Sequence, residues 1–134
     1  MAEKTIYWAI LLHNDSRSKL LKKCKPIHSN VFAEHITIVF NPTQKQDEIM
    51  MDQLGHERTL TVTGFRVDDK GQAVVVTGER RLDGGIPHIT ISCADKTKPF
   101  YSNELLDGGW DGAEPLALYG TIARYTKKGW DNGK

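Results

Sequence analysis

His35-Ile36-Thr37-Ile38 and His88-Ile89-Thr90-Ile91 are the same four residues in the same order, 53 positions apart. A repeated tetrapeptide arises by chance in roughly one chain in ten of this length, so its chemistry matters more than its identity. Along a β-strand, His35 and Thr37 fall on one face, Ile36 and Ile38 on the other. The second copy sorts in the same way, with Cys93 on the isoleucine side. Each copy therefore sets an imidazole and a hydroxyl about 6–7 Å apart on one surface, anchored by isoleucines that face a core. Two such strands, side by side or face to face, bring two imidazoles and two hydroxyls to a common cavity.

That constellation suits a phosphodiester. A neutral imidazole takes a proton from water, an imidazolium protonates the leaving alkoxide, and hydroxyls hydrogen-bond the phosphoryl oxygens. Histidine serves both proton-transfer roles because its ordinary pKa lies near neutrality. A single His-x-Thr in a strand is most often a solvated pair opposite a buried face. Two copies, each entered through a loop and embedded in apolar strands, favour a site.

Outward from the repeats, Thr5 to Leu12 is almost continuously apolar and reads as a strand covered on both faces. Asn14, Asp15 and Ser16 offer caps for a short helix through Leu20, Leu21 and Cys24 that Pro26 stops. His35 to Phe40 is a strand ended by Asn41-Pro42. Residues 44–54 form an amphipathic helix with Ile49, Met50 and Leu54 on its apolar side and Gly55 as its exit. Thr59–Val67 and Gln72–Gly78 flank Asp68-Asp69-Lys70-Gly71 as a β-hairpin. Asp83-Gly84-Gly85-Ile86-Pro87 delivers the chain into the strand His88 to Cys93. Ser102 caps a helical segment through Leu106, Leu116 to Tyr125 is a last strand, and residues 127–134 read as a frayed polar tail. About six strands and two or three short helices make an α+β domain, with no linker to divide residues 1–134.

Composition narrows the function. The chain has 134 residues, and 18 Lys and Arg against 17 Asp and Glu leave a net charge of +1. That balance disfavours a tight grip on long RNA, which needs several phosphate contacts. The apolar run from Ile6 to Leu12 is too short to span a bilayer and lacks the flanks of a signal peptide, which leads us to expect a cytoplasmic setting without membrane association. Cys24 and Cys93 make neither a disulfide framework nor a zinc motif. The histidines show no i, i+4 pair, cysteine partner or carboxylate at ligand spacing, so no metal is expected. Gly84-Gly85 and Gly108-Gly109 form no phosphate-binding fingerprint, so no cofactor is expected either.

The paired His-x-Thr-x motifs resemble those of the two-histidine (2H) phosphoesterase superfamily, and the order of elements fits over nearly the whole chain. Val31-Phe32-Ala33-Glu34-His35 is similar to the lead-in of the first motif in several branches. The resemblance implies a single bilobal domain whose pseudo-twofold antiparallel sheets line a central cleft, with short helices outside. It also implies metal-independent cleavage of phosphodiesters, with substrates that include 2′,3′-cyclic phosphates at RNA ends and cyclic oligonucleotide signals. Residue by residue it carries over only to His35, Thr37, His88 and Thr90. The alternative from another class is a module of the same fold that binds or sequesters a nucleotide or RNA end. No protein partner is implied.

Among other residues, Phe32 ahead of the first motif, Tyr7 in the first strand and Trp110 in the loop-rich stretch after the second motif are candidates for stacking on a base. Phe100 and Tyr101 share that stretch. Tyr7 and Trp8 face opposite sides of the first strand, so one of them could border the cleft, although either reads more readily as core. Arg80, Arg81, Arg124 and Lys127 are cations that could hold a phosphate if the fold brings them close. His13 is held open as a cleft-lip residue, and Glu34 points away from His35 if the strand has already begun there.

Overall fold

The computed structural model describes residues 4–133. The chain runs β1 (Tyr7–Leu12), α1 (Asn14–Lys23), β2 (Asn30–Val31), β3 (His35–Phe40), α2 (Gln44–Met51), β4 (Glu57–Val67), β5 (Gly71–Thr77), β6 (His88–Cys93), α3 (Tyr101–Asp107), β7 (Asp111–Thr126) and β8 (Gly129–Asp131). Six strands close into one antiparallel barrel, in the order β1-β3-β6-β5-β4-β7 and back to β1. This corrects the expectation of two sheets lining a central cleft. The cause is β7, whose 16 residues pair with β4 from Asp111 to Thr121 and with β1 from Gly120 to Tyr125. The two edges of what would otherwise be one open sheet are thereby joined. On the far side β3 and β6 pair through Ile36 and Ile89.

Strand alternation fills the barrel. Trp8, Ile10, Ile36, Ile38, Leu60, Val62, Val74, Val76, Ile89, Ile91, Leu118 and Ile122 form one buried core, joined by Leu20 of α1 and Met50 of α2. Each such side chain contributes about 1.5–3 kcal/mol of burial. A one-residue slip of any strand would throw its share outward, so the core also sets the register that aims the histidines. Gly120 sits where β7 changes partner. A Cβ there would lie 2.5 Å from the Leu11 carbonyl oxygen and 2.6 Å from Ile10 Cγ2. α3 packs outside the barrel, with Leu105 and Leu106 against Ala73 and Val75 of β5.

Several boundaries differ from expectation for local reasons. α1 is preceded by His13, not capped by Ser16, whose buried hydroxyl instead accepts the Tyr119 N–H at 2.8 Å. α2 starts with a capping box between Thr43 and Gln46 and buries Met50, while Ile49 stays exposed. β7 begins at Asp111, well before Leu116, and absorbs Pro115 beside the register shift opposite β4, where proline is tolerated. The expected frayed tail is instead ordered as far as it is described. Gly129, at a φ of 104°, turns the chain back so that Trp130 pairs with Tyr125 and Asp131 with Arg124. No helix among the described residues is long and apolar enough to cross a membrane.

Candidate functional site

The isoleucines of both motifs face the barrel core, so the histidines and threonines face out. Ile36 opposite Ile89 sets His35 across from Thr90 and Thr37 across from His88 when the antiparallel register is continued. The histidines then stand on a diagonal, with backbones about 7–8 Å apart. α3 covers the neighbouring β5, while Trp130 of β8 packs on the rings of His35 and Tyr7. The surface left open between them is a cavity of about 540 Å³ lined by His35, Thr37, His88, Thr90, Arg81 and Glu34 together with aromatic rings, Pro99 and Asn103 of α3. The four motif residues thus meet on one curved face outside the barrel.

A break in the chain aims His35. Phe32 and Ala33 still donate their N–H groups to β6, at 2.8 Å each to the carbonyls of Ile91 and Thr90. At Ala33, buried and with a φ of 54°, the chain leaves β6. The Glu34 carbonyl then accepts from Leu12 of β1 at 3.0 Å. A left-handed alanine costs about 1–2 kcal/mol. Arg17 of α1 opposes that cost by donating to the Phe32 carbonyl from Nη2 at 2.9 Å and Nε at 3.2 Å. The strand begins only at His35, so Glu34 precedes it. Alternation does not run through a left-handed residue, and Glu34 lines the cavity alongside His35.

The two histidines are held differently. His88 Nδ1–H donates to the Ile86 carbonyl at 2.8 Å, which fixes the tautomer and leaves Nε2 as the reacting atom. Burial lowers its pKa, the Ile86 hydrogen bond opposes this, Arg81 lowers it further and Asp83 raises it. His35 packs in tilted contact with Tyr7 at 5.4 Å and Trp130 at 5.6 Å between ring centres, and its buried Nδ1 has no hydrogen-bond partner among the described residues. Burial, with a smaller contribution from the charge of His88, holds its pKa down to about 4. The threonines differ too. Thr90 Oγ1 bonds Ser102 Oγ at 2.7 Å and donates to the Pro99 carbonyl at 3.2 Å, tying the strand to the start of α3. The Thr37 hydroxyl has no partner among the described residues and is open to a ligand.

The depressed pKa of His35 has a consequence for stability. Its folded value of about 4 lies below the ordinary 6.5, so the unfolded chain binds the proton more readily between those values. Stability is complete above pH 6.5 and falls as pH drops towards 4, by roughly 3 kcal/mol for this one group. Urea unfolding of wild type and His35→Phe at pH 4 to 7.5 is expected to show that slope in the first and a shallower one in the second.

Of the stacking candidates, Tyr7 and Phe32 line the cavity and Trp110 does not. Trp110 packs instead against Gly64 on the β4–β7 side, where a Cβ would collide with the indole. Trp8 is fully buried and donates from Nε1 to Asp47 at 2.8 Å. Phe100 lines the cavity, while Tyr101 donates to Asp68 at 2.5 Å. His13 lies at the surface, 2.8 Å from a Glu57 oxygen. Arg124 is held by Asp131 and Thr5, and of the four cations considered only Arg81 lines the cavity. Sequence reasoning missed Trp130 and Ser102. For Trp130 a signal existed, since Lys127-Lys128-Gly129 is a turn that can return an aromatic residue onto Tyr125. Ser102 was read only as a cap.

No family model matches the sequence, and no curated protein does. A solved structure described as a fungal RNA kinase shares the fold, with a TM-score of 0.54 and 16% sequence identity. The similarity covers 90% of this chain and 42% of that one, so the chain spans less than half of that protein. The likeness shows a shared architecture for the barrel that carries the paired motifs.

Proposed function

We propose that the cavity is the active site of a metal-independent phosphodiesterase acting on a small nucleotide, a 2′,3′-cyclic phosphate RNA end or a cyclic oligonucleotide, by two-histidine acid–base catalysis. The observation that carries this reading is the single register of Ile36 on Ile89, which gathers both imidazoles and both threonines on one open face. A volume of about 540 Å³ suits a small ligand. The lining has one carboxylate, Glu34, and one guanidinium, Arg81, a balance that favours a substrate with few phosphates. Phe40 and Phe100, exposed on the cavity lining, offer faces on which bases stack. Likeness to a protein described as an RNA kinase is in keeping with a ribonucleotide substrate.

The productive site carries one proton on the histidine pair. His35 is the neutral partner, because its burial disfavours the charged form. His88 is the protonated one, because its Nδ1–H already rests on the Ile86 carbonyl. His35 Nε2 takes a proton from water as the oxygen bonds phosphorus. The phosphorus–oxygen ester bond breaks, and His88 Nε2–H protonates the departing oxygen. Thr37 donates to a non-bridging oxygen as charge builds there.

A panel of 2′,3′-cyclic nucleotides, RNA ends and cyclic di- and trinucleotides, followed by product analysis and by titration calorimetry, tests the proposal. Conversion of at least one class to a phosphomonoester or a linearised product is expected. Binding without any turnover would instead assign a sequestering module.

A further inference from the structure

The cavity wall beside His88 holds a guanidinium that the acid–base scheme leaves unused. Arg81 is buried, yet it lines the cavity. Asp83 grips it at two points, Nε to Oδ1 at 2.9 Å and Nη2 to Oδ2 at 2.6 Å, and Asn103 of α3 accepts from Nη1 at 3.0 Å. The loop is shaped around it. Gly85 donates its N–H to Asp83 Oδ1 at 2.9 Å, and a Cβ on Gly85 would lie 3.1 Å from Arg81 Nε and 3.2 Å from its Cζ. Three of the five guanidinium donors are thus spent, and two N–H groups remain. Such a fork, oriented before a ligand arrives, suits two oxygens of one phosphate.

The geometry points to Arg81 as the phosphate-binding group of this site, prepositioned by Asp83 and Asn103 to take the non-bridging oxygens next to His88. This rests on the nucleotide reading above and adds the residue that selects for the phosphate itself. Glu34, which also lines the cavity, repels a second phosphate, so the anion is directed to Arg81. The proximity of Arg81 also opposes protonation of His88, which couples the anchor to the acid.

The test compares 3′-AMP with adenosine by titration calorimetry on wild type, Arg81→Lys and Asp83→Asn. In wild type the phosphate is expected to raise affinity over adenosine. In Arg81→Lys that increment is expected to shrink by about tenfold, because a point charge replaces a two-donor fork, with adenosine affinity unchanged. Asp83→Asn keeps the guanidinium but loosens it, and a reduced increment is expected there too. An unchanged increment in either folded variant overturns the assignment of Arg81 and leaves the nucleotide reading standing. Should Arg81→Lys not fold, Asp83→Asn decides alone. Failure of wild type to bind either 3′-AMP or adenosine overturns both.

Discussion

On an ordinary nucleotide ester, His88→Ala is expected to lose about 10²- to 10⁴-fold in kcat, and on a p-nitrophenyl ester to recover most of that loss. His35→Ala is expected to lose a similar factor on both substrates. The asymmetry follows from how each ring is held. His88 has its Nδ1–H on the Ile86 carbonyl, so its Nε2 can carry a second proton and deliver it to the leaving oxygen. A p-nitrophenolate leaves without that proton, and the need for the acid disappears. His35, which sits against Tyr7 and Trp130, is the base in the proposed scheme and would activate water, a step that every substrate requires. Steady-state kinetics of both variants on both esters decide the matter. Rescue of His35→Ala but not of His88→Ala would reverse the assignment of roles.

Gly120→Val is expected to cost about 3 kcal/mol or more, a large share of a total of roughly 5–15 kcal/mol for a domain of this kind. Here β7 lies between β4 and β1, with Gly120 opposite Arg58 on one side and Leu12 on the other. The atom that a Cβ would approach most closely is the Leu11 carbonyl oxygen at 2.5 Å. Backbone in a barrel seam cannot swing aside as a surface side chain can. Gly112 in the same strand has nothing within 4 Å of its Cβ position, and Gly112→Val is expected to stay within about 0.5 kcal/mol of wild type. Urea denaturation of the two variants separates seam crowding from any general intolerance of valine in β7. Equal destabilisation by both would contradict the account of barrel closure.

The readable parts of the fold are those with local causes. The alternation in His-Ile-Thr-Ile gave the starts of β3 and β6 and the side on which each histidine stands. Asp68 and Gly71 gave the hairpin, which the structure builds with Asp68 Oδ1 accepting from the Lys70 and Gly71 N–H groups. Closure into a barrel was not legible, because it depends on β7 meeting β1 more than a hundred residues earlier, and Pro115 hid the first part of that strand. The site followed the same division. The four motif residues were legible from their spacing, and Tyr7 and Phe32 as aromatics near it; all six line the cavity. The side taken by Glu34 was not legible, because nothing in the residue alanine announces a left-handed backbone at position 33. Trp110 looked like a binding aromatic in a loop but belongs to the side of the barrel at Gly64. Trp130 was dismissed with its polar neighbours, although the turn at Gly129 returns it to His35.

In the proposed function His35 and His88 turn over a phosphodiester without a metal ion. Initial rates on the best substrate of the panel, in excess EDTA, for wild type beside His35→Ala and His88→Ala, test this. Cleavage that is indifferent to the chelator and lost in both variants is expected. Cleavage abolished by EDTA and restored by zinc would contradict this reading and make the histidines ligands.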